Sequence, residues 1–270
     1  MKKRIVSAIV FVVLWTIILL VDNPIFDSAV VAVLSIIATY EYYKAFKNIG
    51  YNPISWIGYV GCLAIFLTGG IIPEEYKLLL IKIIIPVGLI SAFTYIIIGS
   101  VKRTIVDVAI TVFSLLYIPV MFSFMKLILN LEHGRFYIFY VFCGAFISDT
   151  FAFLVGSKFG KTKLAPDISP NKTVEGSIGG ILGVILSFII ITLVGNYKLG
   201  INGNVFYWTL ISIAASVAGQ FGDLTASAIK RYCKIKDFGN IMPGHGGVLD
   251  RFDSLMFVAP IVYLFIKIYI

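Results

Sequence analysis

The chain is poor in charge. Only 13% of its 270 residues are Asp, Glu, Lys or Arg, while 59% are hydrophobic. Soluble domains carry about a quarter charged residues, so a water-soluble globule is excluded and the chain reads as an integral membrane protein of many spans. Its length is better counted in helices than in soluble domains. Cysteine is scarce as well. Cys62, Cys143 and Cys233 are scattered, odd in number, and show neither metal-ligand spacing nor a disulfide framework. They read as small buried or near-surface thiols. The chain also lacks a low-complexity linker, an internal repeat, and the dyad alternation of a transmembrane barrel.

What is abundant is apolar sequence of membrane-crossing length, about 17–25 residues. Such runs fall near 5–21, 28–43, 54–72, 78–99, 104–128, 136–156, 177–195, 204–222 and 252–270. Spans of this kind must be helices, because an open strand edge cannot satisfy its backbone groups in lipid. The expected fold is therefore all-α and polytopic, with about nine transmembrane helices, the second short enough to be tilted or partly interfacial. The basic start and apolar core of MKKRIVSAIVFVVLWTIILLV resemble a signal peptide. No small-x-small cleavage site follows closely, so this segment is expected to remain as the first helix. One membrane-embedded catalytic domain is expected, with N-terminal helices over 1–130 and a site-bearing half over 136–270.

The formal charge of +8 does not point to nucleic acid, because the cations cluster in short loops between apolar runs. With the N-terminus in the cytoplasm, sixteen of the 22 Lys and Arg residues lie on the inner side and six in or near the outer loops. A multi-pass protein of the cell (inner or plasma) membrane is expected, N-terminus in and C-terminus out. Two inner segments, 157–176 and 223–251, are long, polar and rich in Gly, Lys and Asp. A site is expected there, on the cytoplasmic side.

The first of these segments contains a decoy. GSKFGKT, Gly156 to Thr162, is one residue too short for a nucleotide-binding P-loop and follows a membrane span instead of a strand. SPNKTVEG, Ser169 to Gly176, is more pointed: Ser169, Lys172 and Thr173 offer two hydroxyls and a cation suited to phosphate oxygens. Gly176, Gly179, Gly180 and Gly183 recur at helical spacing and are expected to let helices approach closely. Asp149 lies inside the sixth run, where a carboxylate costs about 2.5–3.5 kcal/mol and normally faces a partner or a wet cavity. Asp107, in the fifth run, has no polar company nearby and reads as structural.

In the second segment, a helix over 222–233 would align Asp223, Ser227 and Lys230 on one face, with Arg231 beside them. MPGHGGVLDRFDS, Met242 to Ser254, then adds His245, Gly246, Gly247, Asp250, Arg251 and Asp253. The cytoplasmic side thus offers four aspartates as hard oxygen ligands and a set of Lys and Arg clamps. Mg²⁺ favours a few carboxylates completed by phosphate and water. Carboxylates and cations without a reactive Cys or a Ser–His pair suggest phosphoryl or nucleotidyl transfer, in which a protein mainly positions groups and neutralises charge.

SAIKRYCKIKDFGNIMPGHGGVLDRFD, Ser227 to Asp253, resembles the signature of phosphatidate cytidylyltransferases, or CDP-diacylglycerol synthases. That pattern runs Ser-x-apolar-Lys-Arg, four residues, Lys-Asp, then Pro-x-His-Gly-Gly-apolar-x-Asp-Arg-apolar-Asp, and every one of these positions matches. SDTFAF, GSKFGKTKLAP, ISPNKTVEG and GDLTAS resemble other blocks of the family, with departures at Phe153, Asp167 and Val174, where the family often has Tyr, a basic residue and Trp. The resemblance implies that CTP and phosphatidate, a membrane lipid, give CDP-diacylglycerol and pyrophosphate with a divalent metal, Mg²⁺ or another, and that the protein is a homodimer. It implies metal ligation by Asp223 and Asp250, with Asp253 on the metal or orienting Arg251. It also implies anion binding by Lys172, Lys230, Arg231 and Arg251, and a loop-shaping or proton-moving role for His245. Ser169, Thr173, Ser227, Gly246, Gly247 and Asp149 complete the expected substrate site. A CTP-dependent polyprenol or dolichol kinase would lack the full signature ending. A CDP-alcohol phosphotransferase would carry an Asp-Gly-x-x-Ala-Arg array, absent here, and a transporter would show an internal repeat.

Overall fold

The computed structural model describes residues 13, 15–67, 72–98, 104–241, 244 and 246–269. The first expected span lies mostly outside them; of it, residues 13 and 15–20 are helical. Helix α1 is Pro24–Lys47, started by Asn23, whose side chain accepts from the amides of Ile25 and Phe26, and by a proline in the first turn. Then follow α2 (Ser55–Leu67) and α3 (Glu74–Ile98). Next come α4 (Ile105–Leu129), with a π-helical turn at Leu116–Val120, and α5 (Gly134–Phe159), with another at Cys143–Ile147. A short antiparallel hairpin, β1 (Lys163–Ala165) and β2 (Ser169–Thr173), leads into α6 (Val174–Leu199), α7 (Val205–Tyr232) and α8 (Leu249–Tyr269).

Six of these, α1 and α4 to α8, are long and apolar enough to cross a membrane. The expected nine is not reached among the described residues. Parts of the expected runs at 5–21 and 54–72 lie outside the described residues, within which α2 is followed to Leu67. Helix α3, 25 residues long, is interrupted in its apolar run by Lys82, and the end of the run expected at 78–99 lies outside the described residues. Conversely, the run expected at 28–43 is a full 24-residue helix, because polar residues at both ends, including Asp27, Lys44 and Lys47, belong to it.

The chain forms two compact units, one of Met1–Lys126 with Tyr232–Arg251, the other of Leu127–Arg231 with Phe252–Ile270. In the first, Ile54, Ile57, Ala92, Val108 and Leu115 form a buried apolar cluster. Asp107 does have polar company, contrary to expectation. It closes a reciprocal cap with Thr104 at the start of α4 and accepts the Asn52 amide at 2.6 Å. It is structural for that reason: it ties the α2 approach to α4. The thiol of Cys233 is buried, and burial pushes its pKa up to about 11, so it is no thiolate at neutral pH.

The second unit is centred on Trp208, which stacks on Tyr140 with ring centroids 3.8 Å apart and meets Phe188 and Phe265 edge-on. Helices α5 and α6 pack along the expected glycine stripe. A Cβ on Gly179 would lie 2.5 Å from the Cβ of Val155, and one on Gly183 would lie 2.5 Å from the ring of Phe151. Small residues here let two backbones close on each other, as van der Waals packing in lipid requires. That contact sets the spacing of the cavity described next.

Candidate active site

At the hairpin end of the second unit, α5, β2, α6 and α7 enclose a cavity of about 510 Å³, within the usual range for small-ligand sites. Helix α5 contributes Asp149 and Ser157, β2 contributes Asn171, Lys172 and Thr173, and α7 contributes Gln220 and Asp223. Lys172 and Asp223 form a half-buried ion pair across it. Thr173 caps α6, its Oγ1 accepting from the Gly176 amide at 3.1 Å. A polar ladder crosses the same wall. Ser177 Oγ donates to Gln220 Oε1 at 2.5 Å, Gln220 Nε2 donates to Ser216 Oγ at 3.3 Å, and Ser216 and Ser148 share a bond of 2.9 Å. Neither Gln220 nor Ser177 stands out in the sequence. Their signal was there only in retrospect, as polar residues one α-helical turn from Asp223 and Thr173.

The helix expected around residues 222–233 exists, as the last turns of α7, so Asp223, Ser227 and Lys230 do share a face. Arg231 turns to the hairpin, its Nε donating to the Ile168 carbonyl at 3.3 Å. Asp253, on α8, is buried, and Asp223, Lys230 and Asp149 are the charged groups that act on it. Three carboxylates and two lysines of this unit therefore share one electrostatic neighbourhood. Ser169 is strand backbone paired with Ala165 and does not line the cavity. The decoy motif is explained too: the amides of Lys161 and Thr162 are taken by the Glu175 carboxylate, at 3.1 and 3.2 Å, and a strand follows the helix where a P-loop needs the reverse.

In the first unit, Asp250 is buried at the start of α8, its Oδ2 accepting the amides of Phe238 at 2.8 Å and Gly247 at 2.9 Å. Gly246 has φ +83°, and a Cβ there would lie 2.8 Å from Asp250 Oδ2. Glycine is demanded by both the left-handed backbone and the carboxylate beside it. Arg251 is exposed, and His245 lies outside the described residues. Sequence inspection passed over Glu41. Buried in α1, it accepts the amides of Val248 and Leu249 through its two oxygens, at 3.1 and 2.9 Å.

The donor set suits a hard divalent cation, since Mg²⁺ is commonly held by one or two carboxylates with substrate phosphates and water. Among the described residues no three His, Cys, Asp or Glu side chains converge tightly enough to cage an ion by themselves.

The chain matches the model of the cytidylyltransferase family over residues 2–269. It is 34% identical over 275 residues to the phosphatidate cytidylyltransferase of Bacillus subtilis (strain 168), covering 100% of this chain and 98% of that relative. Against the phosphatidate cytidylyltransferases of Staphylococcus haemolyticus (strain JCSC1435) and Staphylococcus aureus (strain COL), identity is 39% and 40% over 169 residues, or 63% of each chain. With the family model matched over residues 2–269 and a relative 34% identical over the whole chain, the chain belongs to the cytidylyltransferase family.

Proposed function

We propose that this chain transfers the cytidylyl group of CTP to phosphatidate, giving CDP-diacylglycerol and pyrophosphate. A phosphate oxygen of phosphatidate attacks the α-phosphorus of CTP, the α–β phosphoanhydride bond breaks, and pyrophosphate leaves. The observation that carries this reading is the cavity holding the Lys172–Asp223 pair, in a chain whose relatives bear that enzyme's name. The attacking phosphate is already largely ionised, so the protein's task is placement and charge neutralisation, not proton abstraction.

In this scheme Lys172 meets the triphosphate while Asp223 holds the lysine in place. Asn171, Thr173 and Ser177 offer hydrogen bonds inside the cavity, and Gln220 is fixed by the serine ladder. Lys230 and Arg251 would each balance anionic substrate at a helix end. Asp223 and Asp250 are the metal ligands that the resemblance implies, and Mg²⁺ when bound would neutralise charge on the triphosphate and on the leaving pyrophosphate. The site faces the cytoplasm in this reading, since the cations of the segments that build it obey the positive-inside bias.

Sealed membrane vesicles test both reaction and sidedness. Inside-out vesicles given external CTP, Mg²⁺ and phosphatidate should form CDP-diacylglycerol, and a metal chelator should abolish it. Right-side-out vesicles should form none until they are permeabilised. Product from sealed right-side-out vesicles would reverse the topology, and none from either kind would remove the proposed function.

A further inference from the structure

Glu41 is a buried acid, 1% exposed, that the reaction scheme leaves unused. Its carboxylate reaches the beginning of α8 across more than two hundred residues of sequence, with Oε1 on the Val248 amide and Oε2 on the Leu249 amide. The first N–H groups of a helix have no partner within it, and a carboxylate there also meets the positive end of the helix dipole. The preceding amide, that of Gly247, goes to Asp250 Oδ2. Two carboxylates therefore divide three consecutive amides between them. Asp250 and Lys44 are the charges that act on Glu41; the amides between the two acids offset their repulsion. The surroundings are fitted to this side chain: a Cβ on Gly239 or on Gly247 would run into the Glu41 carboxyl group.

We propose that Glu41 is a positioning residue for the acidic signature of this family. By gripping the amides of Val248 and Leu249 it fixes where α8 begins, and so the direction in which the Asp250 carboxylate is presented. The inference rests on the cytidylyltransferase reading for its kinetic consequence, but the grip itself does not. Glutamine at this position keeps the size and loses one acceptor, turning an NH₂ group toward a backbone N–H.

The test is Glu41→Gln in the full-length protein in detergent, measured three ways. Amide exchange at Val248 and Leu249 should accelerate. The kcat should fall about 10- to 100-fold, as for a reacting group displaced by about an ångström. The Mg²⁺ concentration for half-maximal rate should rise several-fold, with the KM for phosphatidate unchanged. Gly239→Ala, which keeps every bonding partner but crowds the carboxyl, should show the same pattern and serves if Glu41→Gln does not fold. Unchanged exchange would overturn the grip. Faster exchange with wild-type kcat and Mg²⁺ dependence would reduce Glu41 to a helix cap and overturn the positioning role. A wild-type protein that makes no CDP-lipid would sink the proposed function, while the exchange data would still decide the grip.

Discussion

A lysine and an aspartate in contact, each about a quarter exposed, contribute little to stability as a pair, because solvent screens them. Their value is to the ligand. Lys172 comes from a strand held by the hairpin and Asp223 from within α7, so each fixes the other's rotamer inside the cavity. We expect Lys172→Ala and Asp223→Asn each to lower kcat/KM for CTP by about 100-fold or more, the scale for losing one preorganised electrostatic group. The double variant should lose far less than the product of the two, since residues acting as a unit are non-additive. A double-mutant cycle on purified protein measures this; fully multiplicative losses would mean that the two act separately. This pair was only half legible in the sequence. Asp223 announces itself through its shared face with Ser227 and Lys230, a local 3.6-residue regularity. Its partnership with Lys172 depends on how α6 and α7 pack, which no local pattern encodes. Glu41 was less legible still, since a lone acid near the end of an apolar helix looks like an ordinary interfacial charge.

Among the elements, the glycine face of α6 decides whether the cavity has its shape. Alanine is a better helix former than glycine by about 1 kcal/mol, so propensity alone would make Gly179→Ala stabilising. The Cβ of Val155, 2.5 Å from the added methyl, is anchored to its backbone and cannot swing away. Overpacking of this kind costs about 1–3 kcal/mol, and it should win. Gly179→Ala should therefore lower the thermal unfolding midpoint in detergent and raise the KM for CTP. Ile178→Ala, on the exposed neighbouring face, should do neither. Equal behaviour of the two variants would contradict the role given to the α5–α6 contact. The stripe itself was readable from its spacing. The hairpin before it was not, because SPNKT has no alternation of apolar and polar residues and its strands are three and five residues long. Helix ends were misplaced for a related reason: hydropathy stops at the first charged residue, whereas α7 runs on through Asp223 to Tyr232.

For the molecule as a whole, scarcity of charge made the membrane class plain, and the polar segments between spans supply several of the residues that line the cavity, Lys172 and Asp223 among them. Six helices among the described residues are long and apolar enough to cross a membrane, and parts of the other three expected runs lie outside those residues. The central claim is chemical: the α-phosphorus of CTP goes to the lipid. Its most direct test uses purified protein, Mg²⁺ and phosphatidate with CTP labelled in turn at the α- and γ-phosphate. Cytidylyl transfer predicts that α-label enters the lipid product while γ-label leaves as pyrophosphate. Label from the γ-position in lipid, with CDP released, would identify a CTP-dependent lipid kinase and contradict the account.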